Sequence, residues 1–477
     1  MNSEQLHLQH SQNNINQDRI SPDIMDLLSQ PLQPDSFQVF PLTKEKSSHN
    51  LPHVDLTQWT HDSFQDIQML NGLSVNWIDA FFQLNHPMHP ILSYSWFKRN
   101  YYFIPIFVLH SMYAMVSAKV YYLKYPKADE PCTVAELHYN YCKSLVDLHV
   151  DEPNPITITG IYYVSIYASY YGTSALSGEV DLALVIRLAQ SIGIHRNNEI
   201  FWMGENGNIL GSDKENSRCL CSSLWTLLYC SDFYLSILQK LPFTLTSDQS
   251  FYLPDPNAPY YNDEYQSGSW VYLAELLRIA RKIITRARAI QKNSEVTIRL
   301  QSEGELAMDL NNWFSKLPIW MQQVPEFEDP AYQTHIHWNV GFLHCLYYCL
   351  IILTYKVPFV KAFEGDTSTV SSNSIVQLCV NSATTVSNIL MRIKQVNPTL
   401  NNVPLYSSFL SLVSGIVHCM SMQYKGRHPS ITNIIQEHID MMEIFKSYQS
   451  KLGERNNTVW KWLLDPASAT VAFSNLL

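Results

Sequence analysis

The stretch that most limits how this chain can fold runs over residues 180–254. It reads as a helix (VDLALVIRLAQSIGIHR), a loop, a second helix over 215–238 (ENSRCLCSSLWTLLYCSDFYLSIL) and a turn-rich tail. On the second helix Arg218, Trp225, Tyr229, Asp232 and Ser236 are spaced 7, 4, 3 and 4 residues apart. At 3.6 residues per turn all five share one face. Burying a guanidinium, an indole, a phenol and a carboxylate together is costly unless each polar group finds a partner. Arg218 and Asp232 cannot serve each other, because fourteen helical residues span roughly 21 Å. Asp232 must therefore be answered from another element, and Arg187, His195 and Arg196 on the preceding helix are the candidates. The face is read as a polar pin inside a helical core, with the wall of an effector pocket as the alternative.

Composition narrows the rest. The chain has 477 residues and only 15 glycines, too few for the turn chemistry of a β-rich fold or for phosphate-cradling loops. The formal charge is −10, from 32 Lys and Arg against 42 Asp and Glu. Such a balance excludes broad electrostatic binding of nucleic acid, which needs a basic footprint. Nine cysteines occur without any C-x-x-C spacing, and the first residues are polar, so reduced intracellular thiols packed as small apolar side chains are expected. Three uncharged stretches, within 100–118, 153–178 and 342–355, are rich in Tyr, Ser, Thr, His or Pro. They are read as core helices and not as membrane spans.

The fold class expected is all-α. Residues 1–58, rich in Gln, Asn, Ser and Pro, read as a disordered tail, and 59–477 as one large helical domain. Thr133 with Glu136 has the spacing of a capping box. Residues 155–171 hold many β-branched residues, but their length favours a helix over a buried strand. Gly193 stands where a left-handed residue ends a helix, and the Asn- and Gly-rich residues 197–217 read as a surface loop. Along 268–293 the apolar residues from Leu277 to Ile290 are assigned to one half of the wheel. Arg278, Arg281, Lys282, Arg286, Arg288 and Lys292 are assigned to the other half. That cationic face is either solvated or a contact face for DNA phosphate or an acidic protein segment. One or two short docking helices are expected over 460–477.

The order Arg187, Ala189, Ile192-Gly193-Ile194-His195-Arg196, then Arg218, Leu224-Trp225, Tyr229, Asp232, Leu241-Pro242 and Asp248 resembles the signature of the fungal-specific transcription factor domain. That domain is the regulatory middle region of fungal zinc-cluster factors. The departures are Trp225-Thr226 for a tryptophan pair, Asp232-Phe233 for Asp-Arg and Lys240-Leu241-Pro242 for Gly-Arg-Pro. The resemblance extends over roughly 62–477, through DLNNWFSKLP at 309–318 and HCLYYCLIILTYKVPF at 344–359. It implies an all-helical, nuclear regulator of RNA polymerase II transcription. The implied partners are the transcription machinery or another transcription factor, a small-molecule effector, and a second copy of the chain.

A zinc cluster needs six thiolates within about thirty basic residues, and no cysteine precedes Cys132. Zinc is therefore expected only in a DNA-reading module not found in this sequence, with no cofactor held by the chain itself. Cys345 and Cys349 share a helix face but lack further ligands and read as core. No G-x-G-x-x-G, P-loop, G-x-S-x-G or H-E-x-x-H occurs, so an enzyme is not expected. The main alternative is an interaction protein that binds or blocks a related factor without touching DNA.

Overall fold

The computed structural model describes residues 56–65, 76–125, 131–171, 175–196, 214–238, 241–245, 269–291, 301–329, 335–364, 373–398, 403–404, 406–425 and 429–448, with isolated positions such as 370, 400, 470 and 473. Residues 1–55 and 197–213, Lys292 and most of 460–477 lie outside them, so the expectations made there concern undescribed segments. Among the described residues the secondary structure is helical throughout, with no strand. Fifteen α-helices are described: α1 (His61–Gln65), α2 (Trp77–Leu84), α3 (Tyr94–Asn100), α4 (Ile106–Lys124), α5 (Thr133–Asp151), α6 (Pro155–Tyr170), α7 (Ala175–Ser191), α8 (Lys214–Leu238), α9 (Ser269–Gln291), α10 (Glu303–Ser315), α11 (His335–Thr354), α12 (Lys356–Glu364), α13 (Ser374–Val396), α14 (Ser407–Lys425) and α15 (Pro429–Tyr448).

The first described element is a short 3-10 turn, Leu56–Gln58, whose Leu56 is buried. The N-terminal half is built around α6, which is buried from Pro155 to Ser169. A helix buried on all sides has no amphipathic stripe, which is why its periodicity is flat and strand is its rival in the sequence. Its hydroxyls are satisfied within the helix: Thr159 donates to the Pro155 carbonyl at 2.7 Å and Ser165 to that of Tyr162 at 2.7 Å. Asn154 and Thr157 form a reciprocal capping box at its start, and Ser302 with Glu305 does the same for α10. The box expected at Thr133 does not form. The chain turns helical one residue earlier, so Cys132 occupies the cap and Thr133 is the first helical residue. Gly193 does take the left-handed conformation, with φ 78°.

Helices α4, α5 and α7 pack around α6, whereas α9, α11, α13 and α14 form the core of the C-terminal half. Helix α8 lies between, against α6, α7 and α9. Helices α4 and α11 hold segments, Ile106–Lys124 and His337–Thr354, long and apolar enough by composition to cross a membrane. Here 72% and 78% of those windows are buried against other helices.

Several histidines tie helices together from inside. His110 on α4 and His138 on α5 share a hydrogen bond between their Nδ1 atoms at 2.7 Å. His438 on α15 bonds Ser411 on α14 at 2.9 Å and Ser387 on α13 at 2.8 Å. Burial pushes His110 and His138 well below the usual imidazole range, and His438 and His89 down to about 3. Between pH 6.5 and 3 the unfolded chain therefore takes up protons that the fold refuses, so stability falls as pH drops through that window and is level above it. Urea unfolding at pH 7, 6 and 5 should show losses of up to roughly 2 kcal/mol per histidine by pH 5. An unchanged midpoint would contradict the neutral assignment.

Close helix approach supplies a second test. A Cβ on Gly178 of α7 would stand 2.6 Å from the Ser169 backbone nitrogen and 2.8 Å from the Ser165 carbonyl on α6. Backbone cannot swing aside as a side chain can. Gly178→Ala should therefore destabilise by about 1–3 kcal/mol despite its better helix propensity, which thermal unfolding would show as a lower midpoint.

Candidate functional site

The face of α8 singled out by its spacing is mostly buried. Trp225, Tyr229, Asp232 and Ser236 are 1%, 1%, 3% and 4% exposed, whereas Arg218 is exposed near the start of the helix. The cation that meets Asp232 comes from α9. Arg281, itself 1% exposed, places Nη1 2.9 Å from Asp232 Oδ2. Its Nη1 also donates to the Leu245 carbonyl at 2.6 Å, and its Nη2 to the Tyr229 carbonyl at 2.7 Å. The carboxylate accepts two further bonds, from the backbone N–H groups of Thr244 at 3.0 Å and Leu245 at 3.1 Å. The guanidinium lies 3.9 Å from the Tyr229 ring centre and 4.6 Å from that of Phe243. Burial raises the Tyr229 phenol to about 12 against the pull of Arg281 and Arg278.

The partners expected for Asp232 are elsewhere. Arg187 is exposed and donates to Gln190 at 3.1 Å. The His195 ring packs 5.3 Å from that of Trp225. The Arg196 side chain lies outside the described residues. The reason is geometric: the 3-10 turn after α7 brings His195 to Trp225, whereas α9 brings Arg281 to Asp232.

The cationic half-wheel on α9 is not left free. Taking about 100° per residue, Arg281 stands roughly 40° and Arg288 roughly 20° from Leu277, at the edge of the apolar stripe. Arg288 donates to the carbonyls of Leu241 at 2.9 Å and Ser236 at 3.2 Å, closing the C-terminal end of α8 where a cation is favoured. Arg286 pairs with Glu303 at 2.7 Å and Lys282 with Asp309 at 3.3 Å. Arg278 and Lys282 line a shallow groove of about 300 Å³ with Lys316, Glu275 and Asp309, so three cations there face two carboxylates. Most of the described cations of α9 thus serve contacts within the protein.

A cavity lies on the opposite face of α8. Leu227, Cys230, Ser231 and Tyr234 form one wall. The rest comes from Tyr170 of α6, Ser269, Trp270 and Leu273 of α9, Asn339 and Leu343 of α11, and the turns at 88–90 and 404–406. Its free volume is about 60 Å³. Tyr234 stacks on Tyr406 with ring centres 4.7 Å apart. His89 and Ser231 end a hydrogen-bonded chain through Tyr162, at 2.9 Å from His89 Nδ1 and 3.0 Å from Ser231 Oγ. Burial, reinforced by Lys119 and His86, keeps His89 neutral, and burial raises Cys230 to about 12. This arrangement offers neutral donors and acceptors in an aromatic shell. Sequence reasoning missed it, because its residues come from six separate segments. The one local trace is the 3, 1, 3 spacing of 227, 230, 231 and 234.

The cysteines do not assemble a metal centre. Cys345 and Cys349 are fully buried, and their thiols point at the carbonyls of Val386 and Leu410. Burial pushes both thiols upward, away from the thiolate form that zinc requires. Among the described residues no group of three or more His, Cys, Asp or Glu side chains could hold a metal ion.

The ion pair yields a quantitative test. Asp232→Ala strands Arg281 in the core and should cost about 3–5 kcal/mol. Asp232→Leu combined with Arg281→Met should recover much of that loss. Urea denaturation of the single and double variants decides it, and a double variant as unstable as the sum of the singles would remove the coupling.

Comparison with known proteins points in one direction. Over 275 residues the chain is 21% identical to an uncharacterized transcriptional regulatory protein of Schizosaccharomyces pombe (strain 972 / ATCC 24843). That match covers 54% of this chain and 33% of the relative, so the chain spans about a third of the length of the curated protein it matches. No family model matches the chain, and no solved structure matches it. The similarity supports a transcription regulator in general, ahead of an enzyme.

Proposed function

We propose that this chain is the regulatory region of a nuclear transcription regulator of the fungal zinc-cluster kind, acting on genes read by RNA polymerase II. The observation that carries the proposal is the similarity to the S. pombe transcriptional regulatory protein. The all-helical fold is consistent with it, as is the order of motifs from Arg187 to Asp248. The net charge of −10 and the internal use of the α9 cations argue against DNA contact by this region. DNA would be read, and zinc held, by a separate module. The chain's own contribution is a helical scaffold whose conformations present or mask a surface for the transcription machinery or for a partner factor.

Such a scaffold regulates only if an effector binds its conformations with different affinity. The Arg281–Asp232 clasp sets the position of α8 against α9, and both helices line the cavity. The cavity is therefore the place where an effector could bias the arrangement. His195, Trp225 and Tyr229 belong, in this proposal, to the packing that holds α8 and not to the effector's wall.

The test is a fusion of the full chain to a heterologous DNA-binding domain, assayed on a chromosomal reporter in yeast. The fusion should change reporter output relative to the DNA-binding domain alone, and a fluorescently tagged chain should accumulate in the nucleus. An unchanged reporter together with nuclear exclusion would overturn the proposal.

A further inference from the structure

We infer that the cavity between α8, α9 and α11 is the binding site for a small uncharged molecule with an apolar body and one or two hydrogen-bonding groups, the class of short-chain amides and alcohols. The inference deepens the regulatory reading, on which only the purpose of binding depends.

The wall carries the argument. Among the described residues that line it there is no Asp, Glu, Lys or Arg. A charged ligand entering it would lose water and find no counter-ion in the wall, which is costly in a low-dielectric setting. The titratable groups present are themselves neutral. His89 is held deprotonated by burial, and burial raises the phenols of Tyr234 and Tyr406 well above their usual range. Lys119 and His86, which act on His89, are not part of the wall.

Polar capacity is nonetheless present. Ser231 and His89 reach the cavity from the two ends of the Tyr162 chain. Asn339 adds an amide. The Tyr234 hydroxyl is buried, on a residue 8% exposed, and faces the Tyr406 hydroxyl. A phenol both donates and accepts, so a bond between Tyr234 and Tyr406 leaves capacity for a ligand group. The remaining surface, including Trp270 and Leu273, is apolar. A free volume of about 60 Å³ is several times the roughly 10–15 Å³ that one water needs, which sets the ligand at a few heavy atoms.

The test uses three probes of nearly equal shape on the full chain at pH 7: isobutyramide, isobutyrate and isobutylammonium. Binding is read by calorimetry and by the shift in thermal midpoint. The amide should bind saturably and at least about tenfold tighter than either ion. Leu273→Trp, which fills the cavity, should abolish amide binding while leaving the unliganded midpoint near its original value. Should that variant fail to fold, Leu343→Phe serves the same purpose from α11. Comparable binding of isobutyrate or isobutylammonium, absence of binding by all three, or undiminished amide binding in the filled variant would each overturn the site. A saturable amide shift that leaves the tethered reporter unchanged supports the site and counts only against its regulatory role.

Discussion

The buried pair of Asp232 and Arg281 is the constraint around which the middle of this protein is arranged. Each partner is almost wholly removed from water, so each charge depends on the other for compensation. The carboxylate takes two backbone N–H groups and one guanidinium nitrogen. The guanidinium returns bonds to the carbonyls of Tyr229 and Leu245 and lies against the rings of Tyr229 and Phe243. Three segments that are distant in sequence, α8, the turn at 241–245 and α9, are thereby held in one geometry. Arg288, two turns along α9, repeats the device by closing the end of α8. Hydrophobic packing alone would tolerate some sliding of one helix on another, whereas this network admits few alternatives.

What is built on that frame follows from the two faces of α8. One face carries Tyr229 and Asp232 toward Arg281, and the other carries Cys230, Ser231 and Tyr234 toward the cavity. Any change in the angle between α8 and α9 would alter both at once. The cavity is also the meeting place of the two halves of the fold, with α6 on one side and α11 on the other. Coupling between a small ligand and the arrangement of large helical layers needs such shared elements with discrete packings. The N-terminal half contributes a further set of internal ties through His110, His138 and His89. These depend on neutral imidazoles, so both halves share a sensitivity to acid.

Much of the architecture was legible in the residues. The scarcity of glycine, the 3–4 periodicity and the caps pointed to helices, and helices are what the described residues form. Gly193 was identified as left-handed because only glycine takes that conformation without strain. The buried character of Asp232 is readable from the face it shares with Trp225, Tyr229 and Ser236. Two local readings failed for identifiable reasons. The cap at Thr133 was misplaced because the chain enters the helix one residue earlier. Charge alone groups Arg281 with the other cations of α9, on a face read as solvated or as a contact face. Its angular position, roughly 40° from Leu277 and 20° from Ala274, already placed it at the edge of the apolar stripe.

The sequence by itself determined that a carboxylate would be buried on α8 and that it would require a cation from elsewhere, since desolvation cost is a property of the residue types and their spacing. It could not say which cation. Arg187, Arg196 and Arg281 are equivalent in chemistry, and only the packing of α9 across the end of α8 selects among them. The cavity belongs wholly to the tertiary structure. Its wall gathers residues from 88 to 406, and no local pattern encodes a surface formed when six segments, each satisfying its own helix or turn, leave a space between them.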